Sequence, residues 1–169
     1  MPRKPARTRS SITGERLGAV DAANPIAMGS PTKDNDANLD RFVIPNDVHA
    51  VRKPEAVILE KLHRYHYSND SIFAIRLAFQ EAIVNAVRHG NGSDPNKRIT
   101  VEISVDADRA IIQIEDEGMG YRPADVPDPT SPDRIRLPSG RGIMLIRAYM
   151  SRVDFNERGN RIRMVKENE

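Results

Sequence analysis

The segment from residue 68 to residue 89 constrains the fold most, because its apolar residues recur with a helical period. With Ile72 as the origin and 100° per residue, five later apolar side chains fall within about 80° of one line: Ile75, Phe79, Ala82, Ile83 and Ala86. The cluster Ser68-Asn69-Asp70-Ser71 is typical of a helix start, and Gly90-Asn91-Gly92 of a helix end. The pattern predicts a helix to His89 that is buried over most of its circumference.

Three polar residues interrupt this apolar helix on one narrow stripe. Glu81, Asn85 and Arg88 project at about 180°, 220° and 160° from the origin. A buried carboxylate is costly unless it is paired or ligated. One interpretation is that Glu81 pairs with Arg88 or another arginine on an exposed face. The other is that the stripe lines a polar cleft, where Asn85 offers an oxygen to magnesium and Glu81 orients or deprotonates a hydroxyl or water.

The rest of the chain predicts short strands and two further helices. The expected elements are a strand at 39–45, a helix from about 46 or 54 to 67, a hairpin of strands 99–105 and 110–115, a helix at 141–150, and a closing hairpin of strands 153–156 and 162–165. Because hairpins dominate, we expect an α+β, two-layer sandwich. Its sheet is mixed but mostly antiparallel, and three helices cover one face.

Two glycine motifs flank a segment without periodicity. Asp116-Glu117-Gly118-Met119-Gly120 follows a strand, and Ser139-Gly140-Arg141-Gly142 opens a helix. Glycine lets a backbone approach a ligand closely, and a helix N-terminus with free amides favours phosphate. Each motif alone is equally typical of a tight turn or an ordinary helix entry. Residues 121–138 between them hold five prolines, and a loop of this length is typical of a functional lid or of a disordered segment; we predict a lid.

Composition and charge divide the chain at residue 37. Residues 1–37 have few large apolar side chains and carry six Lys/Arg against four Asp/Glu, which predicts a disordered basic tail. Residues 38–169, the expected folded domain, carry twenty of each and are neutral, so nothing indicates direct nucleic-acid binding. The absence of cysteine excludes disulfides and thiolate metal sites. No apolar run has membrane-spanning length, so a cytoplasmic location without membrane contact is expected.

The order of the motifs is more specific than any one of them. Taken together, they resemble the GHKL ATPase superfamily, and most closely its bacterial anti-sigma-factor serine/threonine kinase branch. The resemblance covers roughly residues 39–166. The run from Glu81 to Gly90 resembles that branch's N box, Asp116 to Gly120 its first glycine box, and Gly140 to Met150 its second.

This resemblance implies a Bergerat, histidine-kinase-like ATPase fold that uses ATP and Mg²⁺. Within the N box, Asn85 would hold magnesium, Glu81 would act as the base or position a water, and Arg88 and His89 would contribute to nucleotide binding. Asp116 would take the adenine amino group. The remaining members would be glycine-box residues that make room for the nucleotide or meet its phosphates under the lid: Gly118, Gly120, Gly140, Arg141 and Gly142.

The resemblance also implies partners. Members of that branch phosphorylate a serine or threonine on a STAS-type anti-anti-sigma protein, bind a sigma factor, and form homodimers. Two alternatives stay open at this point. One is a non-catalytic regulator that senses nucleotide with the same pocket, and the other is the ATP-binding module of a two-component-type signalling system.

Overall fold

A five-stranded antiparallel sheet with three α-helices on one face forms the described part of the chain, residues 38–120 and 141–169 of a computed structural model. The elements in chain order are β1 (Leu39–Pro45), α1 (Arg52–Arg64), α2 (Asn69–Asn85), a π-helical turn (Ala86–Gly90), β2 (Arg98–Val105), β3 (Arg109–Asp116), α3 (Arg141–Tyr149), β4 (Arg152–Phe155) and β5 (Arg161–Glu167). The strand order is β1-β2-β3-β5-β4, which places β3 at the centre of the sheet.

Alternation along the strands separates the two faces of the sheet. On the face covered by helices, Val101 lies opposite Ile114 and Ile103 opposite Ile112, and all four side chains are buried. The opposite face is mostly polar and carries cross-strand ion pairs, of which one joins Arg41 Nε and Glu102 Oε1 at 3.2 Å. The apolar core therefore lies between the sheet and the helices.

Local signals at the helix starts explain the helix layer. Ser68 caps α2, because its hydroxyl oxygen accepts a hydrogen bond from the Ser71 N–H at 3.2 Å. Pro54 occupies the first turn of α1, where backbone N–H groups have no acceptor within the helix, so the N–H that proline lacks costs no hydrogen bond. The predicted core face of α2 is confirmed: Ile75 and Phe79 are fully buried against the sheet.

Two expectations require correction. The sheet is not mixed, because all four pairings between the described strands are antiparallel, and two of them, β2–β3 and β4–β5, are tight hairpins. The α-helix does not run to His89 but ends at Asn85, where the π-helical turn begins. Its wider ring is closed by the Asn91 N–H, which donates to the Ala86 carbonyl at 2.7 Å.

One buried charge was not expected from the helical pattern. Lys61 of α1 is only 8% exposed. Its ammonium group contacts the Asp40 carboxylate and donates hydrogen bonds to the Asn38 carbonyl and Asn38 Oδ1, at 2.9 and 2.8 Å. These partners compensate the desolvation of the charge and fasten the start of β1 to α1. The predicted tail at 1–37, the predicted lid at 121–138 and Gly140 lie outside the described residues.

Candidate nucleotide-binding site

The C-terminus of the central strand meets the π-helical turn in a contact that only glycine permits. A Cβ added at Gly90 would stand 2.2 Å from Asp116 Oδ2, and one added at Gly118 would stand 1.9 Å from the Gly90 carbonyl oxygen. Real side chains do not approach so closely, so Gly90 and Gly118 are required for this packing. We call Gly90, Asp116 and Gly118 the strand end of the site.

Asp116 lies on the helix-covered face of β3, opposite Ile99. Burial raises the pKa of its carboxyl group, while the Gly118 N–H and the positive charges of Lys97 and Arg158 act in the other direction. The Gly118 N–H donates to Oδ1 at 2.8 Å. Among the described residues no hydrogen bond engages Oδ2, so this oxygen is available to a donor on a ligand.

The second part of the site is built by α2 and the first turn of α3. A Cβ added at Gly142 would stand 2.8 Å from Glu81 Oε2 and 3.3 Å from Asn85 Nδ2. Glycine at this position therefore lets α3 approach the two polar side chains of α2. We call Glu81, Asn85 and Gly142 the helix end. In the described part of the chain, Asn85 Nδ2 is buried and has no hydrogen-bond partner.

A narrow cleft lies between α2, α3 and the sheet, and its cavity volume of about 20 Å³ is much smaller than the roughly 300–1,000 Å³ typical of ligand sites. Its lining combines apolar side chains with a few polar groups: Ala82, Asn85, Ala86, Gly90, Ile114, Asp116, Ile143, Phe155, Gly159, Asn160, Arg161 and Ile162. Asn85 and Asp116 both contribute to this lining, so both ends of the site border the same cleft.

Comparison with known proteins agrees with the fold. The family described as the histidine kinase-like ATPase domain matches residues 44–166. The chain belongs to this family. The resemblance drawn from the three boxes and the predicted fold class are therefore confirmed at the family level.

Two relatives of this ATPase domain come from Oceanobacillus iheyensis. The chain is 28% identical over 103 residues to a protein named anti-sigma F factor, with 58% of this chain and 70% of that protein covered. It is 30% identical over 116 residues to a protein named serine-protein kinase RsbW, with 62% of this chain and 73% of that protein covered.

A solved structure is also similar, that of the RsbU and RsbW domains of Rv1364c from Mycobacterium tuberculosis. The TM-score is 0.48 at 16% identity, and the match covers 78% of this chain. The matched part corresponds to 32% of the length of that chain.

The residues at the helix end fit a magnesium ion that is shared with phosphates. The Asn85 amide is aimed into a buried position without a partner there, and either of its terminal atoms can be the oxygen, because the two are interchangeable by rotation. The described residues contain no group of three or more His, Cys, Asp or Glu side chains that would hold a metal. The few donors at the helix end, Asn85 and Glu81, suit Mg²⁺, which commonly takes one or two protein ligands and completes its shell with phosphate oxygens and water.

The predicted site residues divide into three groups. Asn85 and Asp116 line the cleft, and Glu81, Gly118 and Gly142 contact or adjoin them. Arg88 and His89 lie in the π-helical turn, are exposed, and do not line the cleft; Arg141 begins α3 and is also exposed. Gly120 follows the strand end and packs against Arg158. Its φ is +80°, and an added Cβ would stand 2.0 Å from the Arg158 carbonyl oxygen.

Sequence reasoning did not find the residues that support Asp116. Asn91 and Asn160 are 2% and 5% exposed, and both donate or accept hydrogen bonds at the Asp116–Glu117 peptide. In the sequence they are typical turn asparagines, and Arg158-Gly159-Asn160 indicates only a hairpin turn.

In the part of the chain that is described, no helix is long and apolar enough to span a bilayer.

Proposed function

We propose that this chain is an ATP-dependent serine/threonine protein kinase that acts as an anti-sigma factor and phosphorylates a STAS-type anti-anti-sigma partner. The observation that carries the proposal is the position of Glu81. Its carboxylate lies at the first turn of α3, beside Gly142 and one helical turn from Asn85. A carboxylate is thus placed where a helix N-terminus and a magnesium ligand would meet phosphate groups.

Recognition of the base is assigned to the strand end. The Asp116 carboxylate, held at Oδ1 by the Gly118 N–H, offers Oδ2 to the exocyclic amino group of adenine. The apolar lining from Ile114, Ile143 and Ile162 suits a flat ring and excludes water from this contact.

Transfer is assigned to the helix end. Mg²⁺ would neutralise charge on the phosphates, and Asn85 would be its protein ligand. Glu81 accepts the proton of the serine or threonine hydroxyl as that oxygen bonds to the γ-phosphorus. The bond from the γ-phosphorus to the bridging oxygen breaks at the same time, and ADP leaves with the electron pair of that bond.

The proposed partners follow from the names of the relatives and from the resemblance. One relative is named an anti-sigma factor and the other a serine-protein kinase, so a sigma factor and a protein substrate are the partners to test first. A homodimer belongs to the same proposal.

The decisive experiment incubates the full chain with γ-labelled ATP, Mg²⁺ and candidate STAS proteins. We expect label on a serine or threonine of one of them. The matched variant is Glu81→Gln, which should reduce transfer by about 10²–10⁴-fold and leave ATP affinity nearly unchanged, because the lost group acts as a base. Calorimetric ATP binding without transfer by the wild-type chain to any STAS partner would instead support the nucleotide-sensing regulator.

A further inference from the structure

The peptide group that joins Asp116 to Glu117 is held at both ends by asparagine side chains. Asn160 Nδ2 donates to the Asp116 carbonyl oxygen at 2.7 Å, and the Glu117 N–H donates to Asn91 Oδ1 at 2.8 Å. The two asparagines come from different parts of the fold, one following the π-helical turn and the other preceding β5. A single peptide plane is therefore fixed from two sides.

Both asparagine side chains are oriented by further contacts. Asn91 Nδ2 donates to Asn46 Oδ1 and to the Arg98 carbonyl, each at 3.0 Å, which leaves its oxygen for Glu117. Asn160 Oδ1 accepts from Asn156 Nδ2 at 2.9 Å, which leaves its NH₂ group for the Asp116 carbonyl. Their buried position makes these bonds costly to lose.

The preceding peptide is held as well. The Asp116 N–H donates to the Asn160 carbonyl at 2.9 Å, so one residue, Asn160, contacts Asp116 on both sides of its Cα. Arg158 extends the contact by donating from Nη2 to the Gly118 carbonyl at 2.8 Å. With both flanking peptide planes fixed, the direction of the Cα–Cβ bond of Asp116 is fixed.

We propose that Asn91 and Asn160 are positioning residues that aim the Asp116 carboxylate, and that they thereby set the preference for a purine with an exocyclic amino group over one with a carbonyl at that position. The inference rests on the proposed nucleotide binding. The reason is geometric: a carboxylate oxygen attracts an N–H donor and repels a carbonyl oxygen, and the contrast depends on a well-aligned approach.

The test measures binding of ATP and inosine triphosphate by calorimetry, since the two share ribose and phosphates and differ at that exocyclic group. Asn160→Ala and Asn91→Ala should each lower ATP affinity by roughly tenfold and change inosine triphosphate affinity much less. Asn96→Ala and Glu157→Ala are the matched controls, because both side chains are exposed in the same two loops and neither touches Asp116. Adding Asn160→Ala to Asp116→Ala should produce no further loss of ATP affinity.

Equal losses of affinity for ATP and inosine triphosphate would overturn the proposal, because they would indicate general destabilisation of the site. Additive losses of ATP affinity in the double variant would overturn it for the same reason. If an alanine variant fails to fold, Asn160→Ser and Arg158→Ala take its place. An unchanged preference for ATP over inosine triphosphate in both of these variants would also overturn the proposal. A wild-type chain that binds neither nucleotide would refute the proposed function itself, and one that binds both equally would refute only the role of Asp116 and its positioning residues.

Discussion

The strand end and the helix end of the cleft differ in how firmly the described residues hold the polar side chain at each end. At the strand end, Asp116 is packed against Gly90, and its flanking peptides are bonded to Asn91 and Asn160. At the helix end, Asn85 Nδ2 is buried and lacks a partner among the described residues. We infer that the proposed base-reading carboxylate is preorganised, whereas the described residues leave the Asn85 amide, on the proposed phosphate side, open to a ligand.

The largest effect on this comparison is expected from Gly90→Ala. The new Cβ would stand 2.2 Å from the Asp116 carboxylate, so the carboxylate must move away from its packed position. We expect ATP affinity to fall by at least about tenfold, since the main hydrogen bond to the base is misaligned. Isothermal calorimetry measures this directly.

Gly92→Ala is the matched control for that variant. Gly92 lies two residues along the same loop with φ of +63°, and an added Cβ meets nothing within 4 Å. It should cost about 1 kcal/mol of folding stability through backbone strain and leave ATP affinity unchanged. Similar ATP affinities for the two variants would show that the strand end is not rigid.

A smaller effect is expected at the helix end from Asn85→Ala. If Asn85 is the protein ligand of Mg²⁺, the variant should lose the part of ATP affinity that depends on magnesium and keep the part measured in EDTA. Because phosphates and water complete the shell, we expect a loss of about tenfold rather than complete loss. A loss of the same size with and without magnesium would assign Asn85 to direct nucleotide contact instead.

The pH dependence of Asp116 gives a third test, in which stability and binding change in opposite directions. Burial raises the pKa of this carboxyl group in the folded chain above its unfolded value. Its contribution to stability is therefore greatest below the unfolded pKa and is lost as pH rises through the folded pKa. Asp116→Asn removes this loss, so the variant should be at least as stable as the wild type at neutral pH.

ATP affinity should show the reverse. In Asp116→Asn the side-chain oxygen remains with the Gly118 N–H, and an NH₂ group then faces the amino group of the base. The variant should bind ATP more weakly at neutral pH, and its affinity should lack the acid-side decline that protonation of Asp116 causes in the wild type. Thermal denaturation and calorimetry across pH check both halves, and parallel pH profiles of binding would contradict the assignment.

How far the sequence predicts these ends depends on the range of the interactions that form them. The helix end was predictable, because Glu81 and Asn85 are one turn apart and their stripe contrasts with an apolar helix. The π-helical turn was not predictable, because its last residue, Gly90, packs against Asp116, which lies 26 residues further along the chain. Asn160 meets Asp116 only because β5 pairs with β3, with Glu115 opposite Arg161, and strand order is not encoded in local periodicity.

The smallest effect on either end is expected from removal of residues 1–37. Their large apolar residues are few and lack a period, so their burial would hardly offset a backbone ordering cost of about 1–2 kcal/mol per residue. Every residue of the strand end and the helix end lies beyond residue 80. A chain that begins at Asn38 should keep its free energy of unfolding within about 0.5 kcal/mol and its ATP affinity unchanged.

The position of the cut makes this prediction sharp. A chain that begins at Arg41 also loses Asn38 and Asp40, the partners of the buried ammonium group of Lys61. Leaving that charge unpaired should cost about 3–5 kcal/mol, measured by urea denaturation. If the longer chain, beginning at Asn38, is already destabilised or has lost ATP binding, residues 1–37 contribute to the folded domain and are not a dispensable tail. If both truncated chains are as stable as the full chain, the contacts of Lys61 do not anchor β1.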